Sequence, residues 1–440
     1  MSGRIVVVGA GLSGLTAAYA LIRSGRDAVV LERSQRPGGV VRTERIDGFL
    51  LEAGPNTVRS TPELAYLAGE LGVADQMLLS SPGAPRFVDF RGRLHRLPSS
   101  PGSFVASGLL STAGKLRLLA EPFQPRGTRD DESVRDFFAR RLGSEVADRL
   151  VEPFVAGIFA GSASRLEAAS AFPTLTRWDR AHGSLVRGAF LERRAKAGEP
   201  RAPRGLVSFR DGLETLPRAL ARALGQSLRP ATPALGIERR GSRWVVRTSA
   251  GDFEGTSVWL ASPAPIAAEL IRSVSPEAAD ALDAVPHPPL AVLHLAWPRS
   301  ALVRPLEGFG HLVVPDRERR ILGAVWSSSL FPGRAPEDYA LLTVFLGGAR
   351  DPEILESSDD DLAIAAARDL AAEGVTRGSP RVVMTTRWER AIPQYEAGHG
   401  ARMAALERAE AELPGLRFLG SYRGGISVGD VLKNALTLPA

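Results

Sequence analysis

Cysteine is absent from all 440 residues. Disulfides, thiolate metal sites, a cysteine nucleophile and a redox dithiol are thereby excluded, so any redox chemistry must come from a bound cofactor. Lysine is nearly absent too. Only Lys115, Lys196 and Lys433 occur, and arginine supplies the rest of the 55 basic residues, which against 49 acidic ones leave a net charge of +6. The bulk of this arginine reads as a compositional bias; the alternative is attraction to an acidic ligand or a membrane surface. There is no basic tail, zinc-finger spacing or nucleic-acid motif, and no nucleic-acid partner is expected. Apart from the opening stretch, nothing approaches the ~18 apolar residues of a membrane span. Ile5 to Ile22 imitates a signal peptide, but its glycines and the strand that follows argue for a nucleotide-binding unit. The expected location is cytoplasmic, peripheral at most on the cytoplasmic face of the inner membrane. The six histidines (His95, His182, His287, His294, His311 and His399) show no metal spacing and read as structural; no metal is expected.

What is present is organised around Ile5 to Gly39. Ile5 to Val8 reads as a buried parallel strand, Leu15 to Leu21 as a helix packed on a sheet, and Ala28 to Leu31 as a second strand ending at Glu32. Gly9, Gly11 and Gly14 stand between strand and helix in G-x-G-x-x-G spacing. The first permits a tight turn, the second lets backbone approach a pyrophosphate, and the third brings helix close to strand. The helix N-terminus offers free N–H groups and a positive dipole end to phosphate. Glu32 can accept hydrogen bonds from a ribose diol. A lone glycine motif is weak evidence, but here the strand, the helix and the acid accompany it. The fold class is α/β, with a Rossmann-like dinucleotide domain.

Two or three domains are expected at ~100–200 residues each. A second glycine pair, Gly38-Gly39, lies before Arg42, and Ala53-Gly54-Pro55-Asn56-Thr57 forms a further loop able to face a cofactor ring. Arg86 to Pro98 reads as a hairpin carrying Arg86, Arg91, Arg93 and Arg96, either a solvated face or a carboxylate anchor. The chain then turns helical. Phe104 to Leu119 suits a core helix and a membrane-interface segment about equally. Gly157 to Gly161 reads as a glycine-spaced loop, and Arg193 to Pro203 as a flexible connection. Gly236 to Thr248 and Phe253 to Leu260 are expected strands, and residues 290–346 an antiparallel sheet. Asp359 to Glu373 is an amphipathic helix with acids in its first turn. Near the end, a strand, the Gly-rich stretch Gly420 to Gly429 and a helix recur as a second place for an oxygen-rich cofactor.

The opening unit and second glycine pair resemble the flavin-binding signature of glutathione-reductase-like and amine-oxidase-like flavoproteins. With FVDFRGRLHRLP, GIFAG, FRDGLETLP, GFGHLV, TVFLGGAR, IPQYEAGH and GSYRGGISVGD, the chain is similar to the protoporphyrinogen oxidase family, in one order from end to end, and most to its myxobacterial type. The resemblance implies an FAD-binding domain in three parts (1–82, 205–264 and 381–440), an antiparallel-sheet substrate domain (83–98 and 265–380) and a helical, membrane-associating insertion (99–204). It implies non-covalent FAD on Gly9, Gly11, Leu12, Ser13, Gly14, Glu32, Arg33, Gly38, Gly39, Arg42, Gly54, Pro55, Asn56 and Thr57. Ala234 falls near the adenine, and Gly425, Ile426, Ser427, Val428 and Asp430 near the isoalloxazine. The substrate-anchoring arginine falls on Arg86 and the pocket on Gly157, Phe309, Gly310, Leu312 and Phe345. The family commonly has Met or another apolar residue at Phe345, and Asn-Asp-Cys at Gly429-Asp430-Val431. The implied reaction is six-electron oxidation of protoporphyrinogen IX in haem synthesis, with FAD as hydride acceptor, no side-chain base, O2 as final acceptor and H2O2 as by-product. Coproporphyrinogen III oxidation, a non-catalytic flavoprotein, and an amine or carotenoid oxidoreductase are the alternatives. The expected partners are the porphyrinogen, O2 and, transiently, ferrochelatase; a homodimer is compatible with the resemblance.

Overall fold

A computed structural model describes residues 3–98, 102–103, 107–127, 129, 131–195, 203, 205–316 and 318–437. Ile5–Val8 and Ala28–Leu31 are fully buried and pair in parallel, Ile5 opposite Ala28. Ser257–Leu260 lies on the other side of Ile5–Val8, with Leu416–Phe418 beyond it. Leu228–Arg229 lies outside Ala28–Leu31, so five parallel strands come from the beginning, middle and end of the chain. Their unbroken apolar runs suit a sheet covered on both faces. Helices Leu12–Arg23, Thr215–Leu224 and Val428–Thr437 cover one face, and Ala264–Ile271, Pro276–Asp283 and His399–Glu412 the other. The expected strands Gly236–Thr248 and Phe253–Leu260 are each two, split near Gly241 and Thr256.

A seven-stranded sheet forms the second layer system. Its order is Arg381–Trp388, Leu290–Pro298, Tyr339–Gly347, Ile321–Val325, Gly310–Val313, Arg86–Phe90 and Arg93–Arg96. It is mixed rather than purely antiparallel. Arg86–Phe90 and Gly310–Val313 run parallel, with Arg86 opposite Gly310 and Val88 opposite Leu312. Side chains alternate across a strand. The register therefore puts Arg86, Val88, Gly310, Leu312, Gly323, Val325, Thr343 and Phe345 on one face. The other face carries Ala324, Val344 and Leu346, packed into a core with Leu362, Ala366 and Leu370 of helix Asp359–Ala372.

The helical region caps the first of these faces. Glu152–Phe159 is a helix, so Gly157 to Phe159 lie in its last turn rather than in the expected loop. The chain leaves it at Ala160, which takes a left-handed φ of 51°. Helix propensity is weak at Gly157, but a side chain there would collide with Leu312, and that approach fixes the helix on the sheet. A buried ion cluster ties the region together: the Arg141 guanidinium reaches Glu121 and lies 3.3 Å from Asp179. Glu121 in turn accepts from Ser184 Oγ and Leu185 N, capping the helix Leu185–Ala195. That helix takes up Arg193–Ala195 of the expected connection, whose residues 196–202 lie outside the described residues. Of the stretch expected as helix over 104–119, residues 104–106 are also outside, and the helix begins at Thr112 with Ser111 as its N-cap. Among the described residues, no helix is long and apolar enough to cross a membrane.

Gly14 gives a test of the opening unit. A Cβ there would run into the Gly9 carbonyl. Helix propensity alone favours Ala over Gly by ~1 kcal/mol. We expect the opposite sign for Gly14→Ala, a loss of about 1–3 kcal/mol from overpacking, read as a lowered Tm.

Candidate functional site

The two halves of the candidate site are a glycine-lined cleft and the capped sheet face. In the cleft, Gly9 turns at φ 106°, and its Cβ would lie 2.9 Å from the Ala261 carbonyl oxygen. Nothing lies within 4 Å of the point where a Gly11 side chain would begin. Leu12 and Ser13 open the helix, whose Gly11 N-cap makes no side-chain capping bond. The first-turn N–H groups are thus left for an anion, with open space above Gly11 to receive it. Gly38 N donates to Ala10 O at 2.7 Å, and a Gly39 Cβ would come within 3.1 Å of Gly11 Cα, so the second glycine pair borders the same space. The Glu32 carboxylate accepts from Ala10 N at 2.9 Å and from Ser34 N and Oγ. Thr232 N donates to Glu32 O, which brings Ala234 to this end of the cleft. Arg33 is exposed, and Arg42 turns onto Glu44. Open space, uncapped helix end and an acid at the strand tip fit a dinucleotide.

The far end of the cleft is framed by two loops. Ala53 to Thr57 is anchored by Ala53 N to Arg42 O at 2.9 Å and by Asn56 Nδ2 to Gly54 O at 3.1 Å. Gly54 sits against the Val40 carbonyl, where a side chain would collide. The C-terminal loop is held by Tyr395, whose hydroxyl accepts from Gly425 N at 3.0 Å and donates to Ser421 O at 2.6 Å. Ser427 and Asp430 bond each other at the start of the final helix: Ser427 Oγ donates to Asp430 Oδ2 at 2.6 Å. Ile426 leans on the helical region's core and Val428 on that of the nucleotide sheet. Two residues here escaped the sequence reading as site residues. One is Tyr395. The other is Trp388, whose Nε1 donates to Ala53 O at 3.0 Å while its ring packs in the cluster containing Phe345. Aromatics at the end of a strand and in the following IPQY segment were the available signal.

On the sheet side, the residues of the expected pocket come together. Arg86, Gly310, Leu312 and Phe345 share one face. Gly157 abuts Leu312 from the helical side. The Arg86 guanidinium stands 5.7 Å from the centre of the Phe309 ring. Phe309 and Phe345 pack against the same Val325, Leu330 and Phe331 cluster. The arrangement offers a cation at the rim of an apolar wall. Arg91 turns instead onto Phe90, and Arg93 and Arg96 are exposed on the outer strand of the hairpin.

Between cleft and sheet lies a small pocket lined by Asn56, Thr57, Val325, Thr343, Glu52 and Arg334. Glu52 is buried, and burial pushes its carboxyl up to about 7 against the pull of hydrogen bonds from Leu213 N and Thr43 Oγ1 and of the Arg334 charge. A carboxyl harder to ionise in the folded than in the unfolded chain binds more protons when folded. Its contribution is therefore complete below about pH 4.5 and is lost as pH rises towards 7. The shift is worth roughly 3 kcal/mol. Glu52→Gln is expected to flatten the pH dependence of stability across that window and to raise Tm at pH 8; an unchanged pH profile would count against a buried, proton-binding Glu52.

The chain is similar to known flavoproteins over nearly its whole length. The model of the family described as flavin containing amine oxidoreductase matches residues 12–436. The chloroplastic protoporphyrinogen oxidase of Nicotiana tabacum is 33% identical over 98% of this chain and 83% of that protein. The coproporphyrinogen III oxidase of Bacillus subtilis is 27% identical over 97% of this chain and 95% of its own length. A crystal structure from Exiguobacterium sp. 255-15, provisionally named a protoporphyrinogen oxidase, superposes with a TM-score of 0.80 at 26% identity, covering 99% of this chain and 98% of that one. The chain therefore belongs to the flavin containing amine oxidoreductase family and is an FAD oxidoreductase.

Proposed function

We propose that this protein oxidises protoporphyrinogen IX to protoporphyrin IX in haem synthesis. Six hydrogens leave the substrate and three O2 become three H2O2. The observation that carries this reading is the sheet face that sets Arg86 beside Phe309, Leu312 and Phe345. A flexible apolar macrocycle with carboxylate side chains needs such a surface, and the fork of an arginine suits a carboxylate. Bound FAD supplies the two-electron acceptor and the route to O2.

The remaining roles belong to the chain. In this reading the backbone at Gly9, Gly11, Leu12, Ser13 and Gly14 holds the pyrophosphate, Glu32 the ribose and Ala234 the adenine, with Arg33, Gly38, Gly39 and Arg42 along the same cleft. Gly54 to Thr57 and Gly425 to Asp430 border the ring. Phe309, Leu312 and Phe345 press on the macrocycle and exclude water. Gly157 and Gly310 leave room for it, and Arg86 orients it by a propionate. Residues 1–82, 205–264 and 381–440 are assigned to the FAD-binding part, and 83–98 with 265–380 to the substrate part.

The helical region (99–204) is assigned to a membrane surface. Leu116, Leu119, Phe123, Val186 and Phe190 are exposed on neighbouring elements, Phe123 by 83%. Scattered exposed apolar residues are ordinary, but a cluster of them marks a contact surface. Basic Arg187, Arg193 and Arg194 flank them on the same helix. This fits peripheral attachment on the cytoplasmic side, where product could pass to ferrochelatase.

The Bacillus relative makes coproporphyrinogen III the second substrate to test. Its four carboxylates call for more cations around the cavity than Arg86 alone supplies. Aerobic assay of both porphyrinogens separates the readings: protoporphyrin fluorescence with H2O2 is expected, and faster turnover of coproporphyrinogen would reverse the assignment. Arg86→Ala should raise the substrate KM with FAD content unchanged. One charge-assisted hydrogen bond is worth about 1.5–3 kcal/mol, or roughly 10–150-fold. Unaltered kinetics would remove Arg86 from the site.

A further inference from the structure

The strand that carries Leu312 also presents His311, on the opposite face of the sheet. His311 and Glu373 are both completely buried, with His311 Nε2 2.7 Å from Glu373 Oε2. Trp326 Nε1 donates to His311 Nδ1 at 3.2 Å. An indole nitrogen can only donate, so Nδ1 accepts and the imidazole proton sits on Nε2, facing the carboxylate. The ring is thus held on one side by a hydrogen bond, and on the other it faces a carboxylate at ion-pair distance.

Each partner belongs to a different element around the candidate substrate face: one touches its edge, the other lies behind it. The Trp326 ring packs tilted against Phe87, the residue after Arg86, with centres 5.2 Å apart, and its backbone N donates to Phe309 O at 2.9 Å. Glu373 ends the helix Asp359–Ala372. One turn earlier Asp369, also buried, accepts from Arg320 N at 2.7 Å and from Ile321 N at 3.2 Å, at the start of the next strand. Two carboxylates four residues apart on one helix thus grip adjacent strands from behind. A carboxylate at a helix C-terminus faces the negative end of the dipole and gains nothing from it. Buried there, it requires its partners, which are His311 and, at 3.6 Å, Arg319. Asp89, opposite Val313 on the Arg86 strand, adds a third buried carboxyl, raised to about 6 by burial and by Glu373.

We propose that His311 is a positioning residue for substrate: clamped between Trp326 and Glu373, it sets the register and tilt of Gly310–Val313, and with them the spacing of Arg86, Phe309 and Leu312. The proposal rests on the reading of that face as the substrate site. A one-residue slip would exchange the faces of this strand, putting His311 in the cavity and Leu312 in the polar cluster.

The test uses the FAD-loaded protein and the porphyrinogen assay with three variants beside Arg86→Ala. In His311→Gln the amide can accept from Trp326 and donate to Glu373, so KM should stay within three-fold of wild type. In His311→Asn the shorter amide reaches one partner at a time; KM should rise at least ten-fold while kcat stays within three-fold and the flavin spectrum is unchanged. Glu373→Gln keeps an acceptor for Nε2 and should resemble His311→Gln. If His311→Asn lowers Tm yet leaves KM within three-fold, or lowers kcat and flavin content in step with Tm, the proposal is overturned. If Arg86→Ala also leaves KM unchanged, the reading of the face fails with it. A raised KM in Arg86→Ala alone would retain that reading and reject the role of His311.

Discussion

Alternation of side chains across the seven-stranded sheet is the constraint on which the rest depends. Arg86 and Leu312 can share a surface only because Arg86–Phe90 and Gly310–Val313 run parallel with Arg86 opposite Gly310. The same register sends His311 to the opposite face, where a buried carboxylate and an indole hold it. One face of the sheet thus carries an apolar wall with a cation at its rim, and the other is fixed by polar contacts that an alternative register would break. Burial without partners is costly for each of these groups, so the polar cluster specifies an arrangement more than it adds stability.

The same logic of leaving groups free or tying them down runs through the nucleotide cleft. The opening helix has no side-chain cap and Gly11 has open space above it, whereas Gly14 is pressed against the turn. The loops at the far end are restrained by side chains from elsewhere in the chain, Trp388 at Ala53 and Tyr395 at Ser421 and Gly425. Trp388 ends a strand of the seven-stranded sheet and Tyr395 follows it in the chain, so the loops framing the candidate cleft are tied to that sheet. Cofactor chemistry of this kind asks the protein mainly for placement and exclusion of water.

How much was legible in the sequence follows the range of the interactions. The first strand, turn, helix and acid were readable because every determinant lies within Ile5 to Glu32. The strands from Leu290 to Gly347 were readable from alternation and turns, but their pairing was not: Arg86 and Gly310 are neighbours across more than two hundred residues, which turned an expected antiparallel sheet into a mixed one. Gly157 to Phe159 suggested a loop because glycine weakens a helix, and contact with Leu312 overrode that preference. Asp369 and Glu373 looked like polar positions of an amphipathic helix, and only the tertiary structure shows them turned inward. The proposed substrate wall at Arg86, Phe309, Leu312 and Phe345 came from family resemblance, since no spacing along the chain joins those residues.

The central claim is that one sheet face presents a porphyrinogen to a reactive FAD. Anaerobic mixing of the purified yellow protein with protoporphyrinogen IX tests it most directly. The account predicts loss of the oxidised-flavin absorbance, with recovery on admission of air and appearance of protoporphyrin. A flavin that stays oxidised in the presence of protoporphyrinogen would contradict it.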